Sequence, residues 1–458
     1  NLGIVRMIYQ GYQRLAAPGG TIDSASILTR FLWAGEGMLK VLGGESLPYG
    51  IADWYWNPSR VIPAPNDVEP ITEVPFFTVL YGDPHAHLFA LPISLLALAW
   101  SLSFTIRSLQ ADDPDGQKVR WRQLIVGFLL GGLALGALRP INTWDLPAYL
   151  GLGMLAVGYT IWSNFSHTEP KNFLLKGLSK TARKTISVLS AMLLLAALVL
   201  ILFQPYATWY VQGYTDVNIW KGSHTPIWSY LTHWGLFLFL IGSWMVWETR
   251  DWMAKTPLSA LRKLEPFRNL IFSGIMIGLF WIVFLLILGI SIAWLVLPLT
   301  GWAVIMLFRP RQVIMKQIVL VMIASGLLLT LMVEIIVLVG DIGRMNTVFK
   351  FYLQVWTLFS ISAAACFGWL ITDLANWSAS WRTAWKAILV VLLVGAALYP
   401  LMGSIAKIKD RMASDAPFTL DGMAYMQYAV YDDLGVRMDL SQDYRAIRWM
   451  QEHVSGTP

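Results

Sequence analysis

An aspartate and two histidines alternate in the stretch YGDPHAHLF, at Asp83, His85 and His87. The chain has only six histidines, so two of them this close together need an explanation. In an extended segment all three side chains would face one side. One carboxylate and two imidazoles suit Zn, Mn or Fe, with a position left open for substrate. The alternative is that these polar residues simply cluster where a membrane helix begins, a position at which a proline such as Pro84 is common.

Two further groups of polar residues flank apolar runs. The first lies in LRPINTWD and contains Arg139, Asn142, Trp144 and Asp145. The second lies in and before GDIGRMNTVFK and contains Glu334, Asp341, Arg344, Asn346 and Lys350. Glu334 lies in an apolar helix, where a carboxylate is costly unless it is paired or faces a cavity. It therefore predicts either a functional site or a structural Glu–Arg pair between helices.

Taken together, the three groups predict a cavity for an anionic ligand with a bound cation. Arginine forks suit phosphate oxygens, and a metal neutralises charge on a departing phosphate. We therefore expect Asp83, His85 and His87 to share one pocket with Arg139 and Arg344. The alternative is a polar network at the helix ends that holds the helices together and binds no ligand.

Composition identifies the environment of these groups. Hydrophobic residues make up 56% of the 458 residues, charged residues 14%, and the mean hydropathy is +0.55. Soluble domains carry about a quarter charged residues, so an ordinary soluble protein is excluded. The 23 tryptophans and 17 tyrosines fit aromatic belts at two lipid interfaces. The net charge of +6 then records membrane orientation rather than nucleic-acid binding.

The apolar runs predict an all-α polytopic membrane protein with about ten transmembrane helices, because roughly 20 apolar residues cross a bilayer. We place the helices near 86–106, 123–138, 146–163, 186–204, 233–248, 269–288, 291–308, 315–340, 351–372 and 387–405. The sixth and seventh runs are nearly continuous. We divide them at Gly289, because a single span of about forty residues is implausible.

The loops between these runs predict the orientation. Loops on one side hold nineteen Lys and Arg residues and loops on the other side hold four, and positive loops stay in the cytoplasm. All three polar groups are then extracytoplasmic. The aromatic loop at 215–235 lies on the same face, where Trp220, Trp228, Tyr230 and His224 would contact a sugar or anchor the interface.

The predicted organisation has three parts: an extracytoplasmic or interfacial segment at 1–83, a transmembrane domain at 84–405, and an extracytoplasmic C-terminal segment at 406–458. The first contains an amphipathic stretch near 24–42, and the last has the composition of the start of an exported domain. The chain begins at Asn1 without methionine and ends at Gly456-Thr457-Pro458. We expect it to be part of a longer protein.

The chain contains, in this order, the four sequence motifs WNPSRVIP, ITEVPFFTVLYGDPHAHLFALP, ALRPINTWDLPAYL and GRMNTVFKFYLQVW. Together they resemble the YYY-type membrane protein family of certain bacteria and archaea. That family is similar in layout to the type C glycosyltransferases, which use polyprenyl-phosphate sugars outside the cytoplasm. The resemblance implies a site built from the matching motif positions, Asp83, His85, His87, Arg139, Asn142, Asp145, Arg344, Asn346 and Lys350. It also implies an upstream exported loop with a tyrosine triplet, which has no match here.

The leading hypothesis is a glycosyltransferase in the cytoplasmic membrane of a bacterium or archaeon, taking a sugar from a polyprenyl-phosphate carrier. Asp83, Asp145 and Glu334 are the candidate catalytic carboxylates, and the residues at 139, 142, 344, 346 and 350 would bind substrate. A divalent metal (Mn, Mg or Zn) is the candidate cofactor, and the partners are membrane lipids and not nucleic acid. The rival is a non-catalytic subunit or scaffold among other membrane subunits. A third reading is a proton or solute pathway lined by Glu334, Asp341 and Lys316.

Overall fold

A computed structural model describes residues 1–20, 22, 25–65, 67–82, 85–110, 121–164, 178–210, 216–433 and 435–456. Within them the protein is helical, with two small two-stranded sheets. The chain forms two compact units, Asn1–Gly3 with Pro58–Ala396, and Ile4–Asn57 with Ala397–Pro458.

The helices follow one another along the chain with few other elements. They are α1 (Gly3–Ala16), α2 (Ile27–Leu42), α3 (Asp53–Trp56), α4 (Pro75–Tyr81), α5 (Ala86–Gln110), α6 (Trp121–Gly136), α7 (Leu138–Ile141), α8 (Leu146–Ser163), α9 (Lys180–Leu202), α10 (Gln204–Trp209), α11 (Ile227–Lys255), α12 (Arg268–Ile287), α13 (Ala293–Leu307), α14 (Ile314–Ile335), α15 (Met345–Asp373), α16 (Ala379–Leu398), α17 (Ser404–Arg411) and α18 (Ser441–His453). The strands are β1 (Val217–Ile219), β2 (Ile336–Leu338), β3 (Val430–Asp433) and β4 (Val436–Asp439).

All ten predicted spans are helical, and the prediction of an all-α polytopic membrane protein is confirmed. Nine helices in the described ranges are long and apolar enough to cross a bilayer, and Ala293–Leu307 is a shorter apolar helix. The division at Gly289 is also confirmed. α12 ends at Ile287, and Gly289 adopts a left-handed φ of 86°, which glycine accepts without steric cost.

One predicted span is too long at its C-terminal end. We expected a helix over 315–340, but α14 ends at Ile335 and the next three residues form β2. β2 pairs antiparallel with β1, with Val217 opposite Leu338. Two consecutive β-branched residues, Ile336 and Val337, favour this extended conformation. The small sheet therefore connects the loop before α11 to the chain that leaves α14.

The core of the larger unit lies where α11, α13, α14 and α15 meet. Trp234, Trp244, Tyr352 and Phe359 are fully buried there, and the rings of Trp234 and Phe359 meet edge to face at 5.4 Å. A second core forms among α5, α6, α8 and α9. Burial of apolar side chains gains little against lipid, so close packing must hold the helices together.

Small residues make this close packing possible. A side chain at Gly326 would clash with the ring of Phe359, and one at Gly131 would clash with the ring of Trp100. Both contacts join neighbouring helices, as expected for small residues at helix interfaces in membranes.

The smaller unit contains α1, α2, α3, α17, α18 and the β3–β4 hairpin. α1 packs tightly on α2, since the backbone of Tyr12 leaves no room for a side chain at Gly37. The opposite face of α2 exposes large apolar side chains such as Ile27, Phe31 and Leu42. That exposure agrees with the predicted amphipathic stretch. The predicted membrane sides of 1–83 and 406–458 stay predictions.

Candidate functional site

The first turns of α15 gather residues from all three predicted groups. This helix begins after a tight turn in which Gly340 and Gly343 have left-handed φ values of 89° and 57°. The Asp341 carboxylate accepts hydrogen bonds from the backbone N–H groups of Asn346 and Thr347 at 3.0 and 2.7 Å. A carboxylate at this position satisfies amides of the first turn and complements the helix dipole.

Asp145 approaches α15 from the segment between α7 and α8. Its carboxylate is buried and accepts a hydrogen bond from Gln354 Nε2 at 3.0 Å. The same Nε2 donates to the carbonyl oxygen of Trp144 at 2.8 Å, and the side chains of Asn142 and Ser94 lie near the Asp145 carboxylate. The third turn of α15 therefore fixes the orientation of the LRPINTWD segment.

Lys350 lies between two carboxylates. It is half-buried, one turn before Gln354, and interacts electrostatically with both Asp145 and Asp341. Arg139, in the short helix α7, is also half-buried. No carboxylate in the described part of the chain lies within salt-bridge distance of the Arg139 guanidinium. This end of the bundle thus holds cationic groups in partly open positions, as an anionic ligand requires.

The histidines reach α15 from the start of α5. The His87 ring meets Phe349 edge to face at 4.5 Å, and Nε2 of His87 lies 2.8 Å from the Thr78 hydroxyl. His85 is exposed, with its ring 5.6 Å from that of His87. Asp83 lies outside the described residues. Among those described, no three His, Cys, Asp or Glu residues form a group suited to a metal, so the Asp83–His85–His87 metal site stays a prediction.

Glu334 and Arg344 face a different part of the interior. Arg344 is buried and donates from Nη1 to Glu334 Oε1 at 2.7 Å and to the carbonyl of Val333 at 3.0 Å. Its Nη2 donates to the hydroxyl of Thr225 at 3.1 Å. The Glu334 carboxylate also accepts from the N–H of Thr225 at 2.9 Å, and His224 Nδ1 lies 3.3 Å from it. This arrangement is the structural Glu–Arg pair considered as an alternative.

The clamp formed by Glu334, Arg344, Thr225 and His224 joins three parts of the chain. Thr225 and His224 precede α11, Glu334 lies in the last turn of α14, and Arg344 precedes α15. The Ser291 hydroxyl donates to the carbonyl of Thr225 at 3.0 Å, which adds the turn between α12 and α13. The expected single pocket stays a prediction. His87 contacts Phe349 and Asp145 contacts Gln354, both on α15, while Arg344 is committed to the clamp.

The proton or solute pathway gains no support from this geometry. Lys316 lies near the start of α14 and binds Glu248 at 2.6 Å, whereas Glu334 lies near the end of the same helix. At the α-helical rise the two are about 27 Å apart. Each charge has its own partners at its own end of the helix.

Comparison with protein families assigns the chain. Residues 19–359 match a family described as uncharacterized membrane protein (DUF2298). The chain belongs to the DUF2298 family. Its matched region includes every residue of the three polar groups and ends within α15. The match does not extend to the YYY-type family or to glycosyltransferases, so that likeness stays a prediction.

No match was found among curated proteins or among solved structures. The geometry is therefore the main guide to the role of this DUF2298 member.

Sequence analysis missed several residues that complete these groups. Ser94 and Gln354 lie within apolar helices, and nothing in the pattern singles them out before the fold brings them to Asp145. His224 was noticed only as a sugar contact, but it lies against Glu334, and the Trp220 ring lies 5.6 Å from the Arg344 guanidinium. No local pattern could have found these contacts, because His224 and Glu334 lie 110 residues apart along the chain and Gln354 and Asp145 lie 209 apart.

Proposed function

We propose that this DUF2298 protein is a glycosyltransferase of type C layout. It takes a sugar from a polyprenyl-phosphate carrier and acts on the extracytoplasmic face of the cytoplasmic membrane of a bacterium or archaeon. The observation that carries the proposal is the gathering of Asp145, Lys350 and His87 from three separate segments around the start of α15. Two sequence features support the proposal. The loop charges predict an extracytoplasmic location for these residues, and four sequence motifs resemble the YYY-type family.

The reaction is a displacement at the anomeric carbon of the donor sugar. A carboxylate takes the proton of the acceptor hydroxyl, and the acceptor oxygen bonds to the anomeric carbon. The bond from that carbon to the phosphate oxygen breaks, and its electron pair leaves with the polyprenyl phosphate. Preorganised cations stabilise the departing charge, a role that we assign to Lys350 and Arg139.

Among the candidate carboxylates, Asp145 suits the base best. Glu334 is committed to Arg344 and Thr225, and Asp341 to the amides that begin α15. Asn346 orients Asp341 through a hydrogen bond, and Asn142 lies near Asp145. Asp83 is the second candidate for the base.

A divalent metal would be held by Asp83, His85 and His87. The 5.6 Å between the two imidazole rings is compatible with one shared ion at the usual metal–nitrogen distance of about 2.0–2.1 Å. Such an ion would neutralise phosphate charge when bound.

The test uses the purified chain in proteoliposomes with a polyprenyl-phosphate sugar and a soluble acceptor. Asp145→Asn should lower the release of polyprenyl phosphate by about 10²–10⁴-fold, the usual contribution of a general base. Asp373→Asn is the matched control, because Asp373 is a carboxylate at the far end of α15 and accepts a hydrogen bond from the Trp247 indole N–H at 2.9 Å. It should keep the wild-type rate. No release by the wild type, or equal rates for both variants, would refute the proposal.

The second candidate function is a non-catalytic subunit of a larger membrane complex. The observation that favours it is the clamp, in which Arg344 and Glu334 are engaged by residues of the chain itself. This reading expects no transfer by the wild type. It also expects the protein to leave native membranes in a larger assembly, measured by mass in mild detergent, and Asp145→Asn to leave that mass unchanged.

A further inference from the structure

A groove lies on the larger unit at the charged end of α11, where α11 meets α13. It has a volume of about 570 Å³ and is lined by Val246, Thr249, Arg250, Met253, Ala254 and Trp302. Val246 and Met253 are 58% and 71% exposed. The Trp302 indole N–H donates to the Thr249 hydroxyl at 2.9 Å, which fixes the junction of the two helices. The groove is thus apolar along its length, with a cationic residue at its edge.

The acidic residues nearby are already paired with other cations. Glu248 binds Arg309 and Lys316, each at 2.6 Å. Asp251 binds Lys255 at 2.7 Å and Arg309 at 3.3 Å. The carboxylates beside the groove are therefore neutralised without Arg250.

Arg250 differs from these cations. Its guanidinium lies over the ring of Trp247 at 4.9 Å, and in the described ranges no carboxylate comes within salt-bridge distance of it. Stacking on an indole holds the guanidinium in place and leaves its N–H donors available. The surrounding segments 248–268 and 309–316 contain eight Lys and Arg and three acidic residues. The electrostatic potential around Arg250 is therefore positive and favours a bound anion.

The depth of the groove in the bilayer follows from its neighbours. Apolar residues of α11 precede the groove, and charges follow it. Tryptophans lie around the same level, as in the aromatic belts of membrane proteins, at Trp247, Trp252, Trp302 and Trp377. A ligand that bridges this boundary has an anionic end and an apolar chain.

We infer that the groove binds one anionic phospholipid of the surrounding membrane. Its phosphate accepts hydrogen bonds from Arg250, and one acyl chain lies along Val246, Met253 and Trp302. Basic pockets between membrane helices recognise anionic head groups in this way. A second protein would need roughly 1,000 Å² of complementary surface, whereas a groove with six lining residues suits a single chain. The site is separate from the proposed sugar-transfer site and does not depend on it.

The test is native mass spectrometry of the full chain, purified from nanodiscs that contain phosphatidylcholine and increasing phosphatidylglycerol. The wild type should retain one phosphatidylglycerol. Arg250→Gln should raise the concentration needed for half occupancy by at least about fivefold, since one cation near the surface contributes about that factor. Lys263→Gln is the control, because Lys263 is exposed at the same end and does not line the groove. It should bind as the wild type does.

A second variant tests the apolar half of the site. Val246→Trp fills the groove and leaves Arg250 in place, so it should abolish retention of phosphatidylglycerol. Soluble glycerophosphoglycerol should not displace the lipid from the wild type. Equal retention of phosphatidylcholine, unchanged binding by Arg250→Gln, or displacement by the soluble head group would overturn the inference. A doubled mass in the wild type that either variant abolishes would instead identify an interface between two copies.

Discussion

Two groups of charged residues lie at the start of α15, and they differ in how deeply the cation of each group is buried. In the clamp, Arg344 donates to Glu334, Thr225 and the carbonyl of Val333, and all of these groups are buried. In the second group, Lys350 is only half-buried and interacts with Asp145 and Asp341 through charge. Each group combines one cation with at least one carboxylate, and the two cations are six residues apart along the chain, at 344 and 350.

The difference separates two roles that the sequence alone leaves mixed. A buried ion pair is costly to desolvate, and it persists when further hydrogen bonds satisfy its remaining atoms. The clamp meets that condition and joins the ends of several helices. A cation that remains partly open to solvent can exchange partners with a ligand. The clamp is therefore structural, whereas a binding role for Lys350 stays a proposal.

The largest expected effect is on the clamp. Arg344→Ala leaves the Glu334 carboxylate buried without its cation, which should lower the free energy of unfolding by roughly 3–5 kcal/mol. Denaturant unfolding of the purified protein in detergent measures this.

The control for the clamp is the double variant Arg344→Met with Glu334→Leu. Replacing both charges of a buried pair with apolar groups is often close to neutral, so most of the stability should return. An Arg344→Ala protein as stable as the wild type would mean that Arg344 is not part of a structural clamp.

The second effect is on ligand binding rather than stability. Lys350→Gln should weaken binding of a polyprenyl phosphate by about 10- to 100-fold, since a hydrogen bond to a charged group contributes about 1.5–3 kcal/mol. Its free energy of unfolding should change far less than that of Arg344→Ala. A filter-binding assay with radiolabelled lipid measures the affinity.

Lys386→Gln is the matched control for Lys350, because Lys386 is an exposed lysine near the start of α16. It should bind the lipid as the wild type does. If Lys350→Gln unfolds the protein as Arg344→Ala does, the distinction between the two groups disappears.

Local patterns in the sequence predict much of the fold. Apolar runs of sufficient length place all ten apolar helices, and Gly289 marks the break between α12 and α13, because its left-handed backbone suits glycine. The β1–β2 pairing could not be predicted, because its strands are more than a hundred residues apart and each has only three residues. Short strands carry too little periodic pattern to be recognised.

The sequence predicted the charged residues, histidines and asparagines of the candidate site, but not its other polar residues. Asp145 and Lys350 stand out because charges are rare in apolar segments. Gln354 and Ser94 are ordinary polar residues of membrane helices, and only the packing of α5 and α15 brings them to Asp145. Arg344 was expected to bind phosphate. Its partner Thr225 lies 119 residues away in sequence, and no local pattern connects them.

The smallest expected effect concerns Asn346, which lies between Arg344 and Lys350 along the chain. Asp341 accepts from the Nδ2 of Asn346 at 3.1 Å, and also from two backbone amides and the Thr347 hydroxyl. Asn346→Ala removes one donor and leaves the others. It should therefore lower the free energy of unfolding by about 0.5–1.5 kcal/mol, the usual value for one hydrogen bond.

Asp341→Ala provides the comparison for Asn346→Ala, because it leaves the backbone amides of Asn346 and Thr347 without their acceptor. Loss of a helix cap costs about 0.5–2 kcal/mol, and loss of the side-chain bonds adds to it, so this variant should be the less stable of the two. Thermal and denaturant unfolding in detergent measure both variants. An Asn346→Ala protein as unstable as Arg344→Ala would place Asn346 and Asp341 with the clamp rather than with Lys350.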